Sequence, residues 1–228
     1  MRIILIPGFG EDESIFEKIQ DKLPDEKLSL SLWNLLANKS VKTLNAGIFA
    51  RDLTERFQIS KTDLVIGHST GGWVALHIKN IVGCPIVQIA SWTDERKVIT
   101  PFTNRHIIYF TAQTGLFLND FMLRRTVKKY YQDKPSKDIF EAIFTKLKNG
   151  NRANVINQLR LIFNPYSGKV SVQPDLRIHA RKDRVIRFPD GPVYEVDGDH
   201  FSLYTYPEQV YPPIVDLINR YAKEQVHK

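Results

Sequence analysis

The sequence has 228 residues, 43% apolar and 25% charged, an ordinary globular balance and enough chain to bury a full core in one domain, 1–228. A single cysteine, Cys84, excludes an internal disulfide and points to a reducing, cytoplasmic setting. The 32 basic residues outnumber 25 acidic ones for a formal charge of +7, which admits nucleic acid, an anionic membrane or an acidic partner, but no nucleic-acid motif accompanies the charge.

The apolar run Ile3–Ile6 is too short for a signal-peptide core or a membrane span and reads as a strand, ended by Pro7-Gly8-Phe9-Gly10. Residues 12–23 suit a helix with Ile15, Phe16, Ile19 and Leu23 on one face. Residues 28–33 alternate at period two and predict a strand. Residues 43–57 suit a helix carrying Leu44, Ile48, Leu53 and Phe57. Then come an apolar strand at 63–66, the pentapeptide Gly67-His68-Ser69-Thr70-Gly71, a helix from Gly72, and another strand at 85–90. Alternating strands and helices predict a mostly parallel sheet with helices on both faces. From Ser91 to about Val172 the alternation stops, and 118–131, 138–149 and 152–163 each read as helix. Strands resume at Leu176–Ala180 and 192–196. The second leads into Asp197-Gly198-Asp199-His200-Phe201, and a last helix spans about 208–223.

Strand, G-x-S-x-G, helix is the setting of a nucleophile elbow, a sharp turn that lifts a serine hydroxyl clear of a sheet. Its glycines sit where a Cβ would meet neighbouring backbone. On these residues the chain resembles the α/β-hydrolase superfamily. The resemblance implies that Ser69 is the nucleophile, with Asp183 after the penultimate strand as acid and His200 after the last as base, in the superfamily's chain order. Some members carry the acid one strand earlier, which makes Asp94 the rival. The backbone N–H groups of Phe9 and Thr70 would form the oxyanion hole. The two antiparallel strands that usually open the superfamily's sheet are expected to be lacking, and 93–172 is expected to be an inserted helical lid. Sixteen residues between Asp183 and His200 leave no room for the usual helix there, so that edge is expected to be abbreviated. His68, His77, His106, His179 and His227 are poorer candidates for the base.

The chemistry explains these residue types. Serine needs a base to take its proton, an imidazole can do so and return it, and a carboxylate fixes the imidazole's tautomer. The expected activity is hydrolysis of a small-molecule carboxylic ester or thioester through an acyl-enzyme. A non-catalytic binding module, an amidase, a C–C hydrolase and a cofactor-free peroxidase are the alternatives. No H-E-x-x-H or G-x-G-x-x-G is present, so no metal or cofactor is expected. Between 118 and 164 ten basic residues face four acidic ones. Arg124, Arg125, Lys128 and Lys129 are therefore candidates to meet an anionic substrate or an acidic acyl-carrier protein, although a helix spreads the four over more than one face. Phe110, Phe117, Phe121, Tyr130, Tyr131, Phe140, Phe144 and Phe163 are expected in the core of the lid rather than lining a pocket.

Overall fold

Ile3–Ile6 forms strand β1 in the computed structural model, which describes residues 1–24, 26–37 and 42–226. Side chains alternate across a strand, so Ile4 and Ile6 enter one hydrophobic layer while Ile3 and Leu5 enter the other. Strand β3, Leu64–His68, divides in the same way. A strand buried on both faces needs a continuous apolar run, which is why these stretches show no polar alternation.

The sheet has six strands in the order β2-β1-β3-β4-β5-β6, where β2 is Lys27–Ser29, β4 Ile86–Ile89, β5 Leu176–Ala180 and β6 Tyr194–Val196. Every neighbouring pair is parallel. The order reverses between β1 and β3. In open parallel sheets such a reversal opens a crevice outside the carboxyl ends of the strands. The two turns that leave those ends are 7–10 and the pentapeptide around Ser69.

After β1 a 3₁₀ turn, Glu13–Phe16, and helix α1, Glu17–Gln20, bury Ile15, Phe16 and Ile19 against one face. The other face is covered by α2 (Leu32–Leu36), α3 (Ala46–Arg56) and α4 (Thr70–Val82). Four helices then follow between β4 and β5: α5 (Arg105–Thr114), α6 (Asp120–Thr126) with a π-helical turn at Val127–Tyr131, α7 (Lys137–Asn149) and α8 (Arg152–Phe163). Helix α8 packs on α2, α3 and α4 as an outer layer. Two closing helices, α9 (Ser202–Thr205) and α10 (Pro207–Val226), return to the face of α1. Among the described residues no helix is long and apolar enough to cross a membrane.

Several elements differ from expectation. The strand expected at 28–33 stops at Ser29, because the Ser31 side chain accepts from Asn34 N–H and starts α2. Leu32 and Leu36 are buried one helical turn apart, so the leucine alternation is shared between a strand and a helix. The helix at 43–57 starts only after Asn45 caps it, and Ile48 faces water. Helix α5 was not expected at all, although Asn104 caps its start and Gly115, left-handed at φ 72°, ends it.

The pentapeptide glycines are fixed by close backbone approach. A Cβ on Gly67 would run into the backbone of Gly71 and Gly72, and one on Gly71 into the carbonyl oxygen of Ile6. Gly71→Ala is therefore expected to cost at least about 1–3 kcal/mol. A urea titration should show a lowered midpoint with an unchanged slope.

Candidate active site

Ser69 lies between β3 and α4 with φ 50° and ψ −119°, a strained conformation for a residue with a side chain. Strand β4 holds it there. Ser69 N–H donates to Ile89 O at 2.9 Å, and Ser91 Oγ donates to Ser69 O at 2.7 Å. Gln88 Nε2, fully buried, donates to Gly72 O at 2.9 Å and so pins the first turn of α4. The hydroxyl is thereby turned toward the carboxyl end of the sheet, beside the positive end of the α4 dipole.

Two loops bring partners to it. His200, delivered by the turn after β6, places Nε2 3.0 Å from Ser69 Oγ. Its Nδ1 lies 2.8 Å from Asp183 Oδ2, on the turn after β5. Asp183 Oδ1 accepts the N–H groups of Val185 and Ile186 at 2.7 and 2.9 Å, which fixes the carboxylate in place. No helix intervenes between β5 and β6. Asp94 lies apart from this array, capping a short 3₁₀ turn and paired with Arg96 at 2.6 Å.

The charges in the array support one another. Burial works against an imidazolium at His200. The Asp183 carboxylate, its hydrogen bond and the charges of Glu11 and Asp199 outweigh that and raise the His200 pKa above its ordinary 6.5. Burial likewise opposes charge on Asp183, but His200 and His179 hold its pKa well below the usual carboxylate range. His179 Nε2 stands 3.3 Å from Asp183 Oδ2, an electrostatic contact.

Glu11 was missed by sequence reasoning, and His68 was set aside. Glu11 is 3% exposed, accepts Gly8 N–H, and brings Oε2 to 2.8 Å from His68 Nδ1. His68 Nε2 lies 2.9 Å from His200 O. A carbonyl only accepts, so His68 Nε2 is the donor there. Glu11 thus ties the 7–10 turn to the elbow, and His68 ties the elbow to the His200 loop. The only advance signal was a carboxylate three residues after Gly8. With Gly8 N–H engaged, the next amide of the turn is that of Phe9. Among the described residues neither Phe9 N–H nor Thr70 N–H donates to a protein acceptor. Glu11, His68 and His200 also offer the one set of clustered metal-capable atoms among the described residues, within 4.8 Å of one another. Their hydrogen bonds to Gly8, Ser69, Asp183 and one another already occupy them.

A cavity of about 280 Å³ opens over Ser69 and His200. Helix α7 supplies Phe140, Ile143, Phe144 and Leu147 to its wall, and Phe9 and Val185 face them. Phe140 and Phe144 therefore line the cavity rather than a separate helical core, while Phe110, Phe117 and Phe121 stand exposed. Arg124, Arg125, Lys128 and Lys129 are all exposed, and none of them lines the cavity. A larger cleft of about 690 Å³ lies between 95–106, Phe163 and Arg187, away from Ser69.

The chain has the α/β-hydrolase fold. It is similar to the structure of a hydrolase from Oleispira antarctica, with TM-score 0.73, 13% identity, and 96% of this chain and 90% of that chain covered. A thermophilic esterase from Thermogutta terrifontis matches with TM-score 0.68, 14% identity and coverages of 96% and 90%. An enol-lactonase from Burkholderia xenovorans matches with TM-score 0.66, 11% identity and coverages of 96% and 91%. No protein-family model matches the sequence, and no curated protein is significantly similar to it.

Replacing Glu11 by alanine would leave the buried Gly8 N–H and the His68 ring without their acceptor, at a cost of about 1–3 kcal/mol. The expected result is a lower unfolding midpoint, measured by urea denaturation at neutral pH.

Proposed function

We propose that the protein is a serine hydrolase that cleaves a small-molecule carboxylic ester or thioester through an acyl-enzyme on Ser69. The observation that carries this reading is the relay from Ser69 Oγ through His200 to Asp183, at 3.0 and 2.8 Å, facing an apolar cavity. Ser69 Oγ attacks the carbonyl carbon as its proton passes to His200 Nε2. The N–H groups of Phe9 and Thr70 receive the oxyanion, helped by the α4 dipole. Collapse of this intermediate breaks the bond to the alcohol or thiol, which leaves with the proton held by His200. A water molecule then attacks the acyl-enzyme, His200 again takes the proton, and the carboxylic acid is released as the proton returns to Ser69. Asp183 holds the imidazole in the required tautomer and stabilises its charged form. Helices α5–α8 act as a lid inserted at 93–172 within the single domain, with α7 as the roof over the acyl group.

Ser69→Ala is expected to abolish both turnover of short p-nitrophenyl esters and labelling by a fluorophosphonate. Failure of the wild-type protein to label would favour a binding module that keeps the hydrolase shape. Asp183→Asn should lower kcat by up to about 10⁴-fold with the fold intact. Asp94→Asn should change kcat little, because Asp94 pairs with Arg96 on the surface.

The pH profile follows from the direction of the His200 shift. The neutral imidazole is the base, and a raised pKa delays its formation to higher pH. The acid limb of kcat/KM should therefore have its midpoint above 6.5, the ordinary histidine value. Asp183→Asn should move that midpoint down, as read from rates across a pH series at fixed ionic strength.

A further inference from the structure

Among the described residues nine large apolar side chains stand in water, and six of them lie between Ile99 and Phe121. Phe110 is 64% exposed, Phe121 63% and Leu116 57%. Single exposed apolar residues are ordinary, but a cluster of this kind on one segment marks an interaction site. The segment folds the cluster together. Gly115 ends α5 in the left-handed conformation, and Leu116 N–H donates back to Thr111 O, so Leu116 and Phe117 close over the end of the helix that carries Phe110. The Phe117 ring lies 5.8 Å from Phe102, which extends the apolar surface toward the 690 Å³ cleft.

The same segment is basic. From 99 to 131 it has Arg105, Arg124, Arg125, Lys128 and Lys129 against the single acid Asp120, which is paired with Lys148. The cleft beside it adds Arg187, and Arg96 paired with Asp94, against Glu95. Side chains that leave more than half their surface in water project from the protein rather than line a groove. On α6 Phe121 stands about one helical turn from the exposed Arg124 and Arg125, and projecting apolar side chains beside arginine suit insertion at the boundary between anionic headgroups and acyl chains. A folded protein partner would instead need a complementary recess for each projecting ring. We infer that the 105–126 segment, with Phe110, Leu116 and Phe121 projecting and Arg124 and Arg125 beside Phe121, docks the protein on an anionic lipid surface. The turn connects this face to the cavity, since Phe117 faces the water and the next residue, Leu118, lines the wall over Ser69. An amphiphilic ester held in such a surface would meet the cavity from this side. That last step rests on the hydrolase reading, whereas the docking itself does not.

The test is co-sedimentation of the full chain with vesicles of phosphatidylcholine alone and with vesicles that also contain phosphatidylglycerol. Wild type and Ser69→Ala are expected to sediment alike, and only with the anionic vesicles, which separates docking from catalysis. The double variants Phe110→Ser/Phe121→Ser and Arg124→Glu/Arg125→Glu should each bind at least about tenfold more weakly. Added salt should weaken wild-type binding. Phe110→Ser/Phe121→Ser should keep wild-type turnover of a soluble p-nitrophenyl ester, which shows that the fold survives. Equal sedimentation with both vesicle types, or with neither, overturns the proposal. So does a stable dimer on gel filtration that Phe121→Ser dissociates, since the cluster would then cover a second copy. Binding of a purified acidic acyl-carrier protein that is lost in Arg124→Glu/Arg125→Glu, without vesicle binding, would assign the face to a protein partner and also overturn it.

Discussion

The first turn of α4 lies against the carbonyl oxygen of Ile6, closer than any side chain would allow, and the rest of the site depends on that approach. It forces glycine at 71 and aligns the start of α4 with the end of β1. The serine between β3 and α4 must then take a positive φ. Two loops from the far side of the sheet can therefore converge on its hydroxyl. The approach also brings the 7–10 turn alongside the elbow, where Gly8 has room for no side chain between Ser69 and Glu11. Strand β4 completes the clamp through Ile89, Ser91 and Gln88.

Around this clamp the protein buries three carboxylates, Glu11, Asp183 and Asp199, and three histidines, His68, His179 and His200. A lone buried charge is costly, and pairing offsets that cost only when the remaining lone pairs and protons also find partners. Asp183 meets the condition with two backbone amides and the His200 imidazole, Glu11 with one backbone amide and the His68 imidazole, and Asp199 with the Phe201 amide and the Ser136 hydroxyl. The polar groups are gathered on the sheet side of the cavity, while α7 presents only apolar side chains from above. That contrast leaves the serine hydroxyl between a hydrogen-bonded floor and an apolar ceiling.

The parallel sheet was legible because β1, β3 and β4 are short, mostly apolar runs between Gly, Pro and Asp punctuation. The positions of Ser69, Asp183 and His200 were legible from the pentapeptide and from strand order, and the structure brings their side chains into hydrogen-bond contact. What stayed hidden depended on tertiary contacts. Helix α5 exposes Ile107 and Phe110 while burying Thr111 and Ala112, so its apolar pattern does not mark the inner face. Leu28, Leu30 and Leu32 kept a strand's rhythm across a boundary that only the Ser31 cap reveals. Glu11 lay just ahead of the expected helix at 12–23 and drew no notice, since its importance comes from His68, 57 residues away. Phe140 and Phe144 could not be told from core residues until α7 was seen over the elbow. The four basic residues of 124–129, expected on more than one face, are all exposed, since Val127 between the pairs takes the buried side.

The last strand, β6, is three residues long, pairs on one side only, and leads directly into the turn that delivers His200. An edge element this short has few bonds to break, so it belongs to the part of the fold that opens first. Fraying there would carry the imidazole away from both Ser69 and Asp183 while β1, β3 and β4 stayed paired. The array would then come apart as a local event, reversible and cheaper than melting the domain. Its lifetime in warm solution would be set by the grip of this three-residue edge strand rather than by the depth of the core.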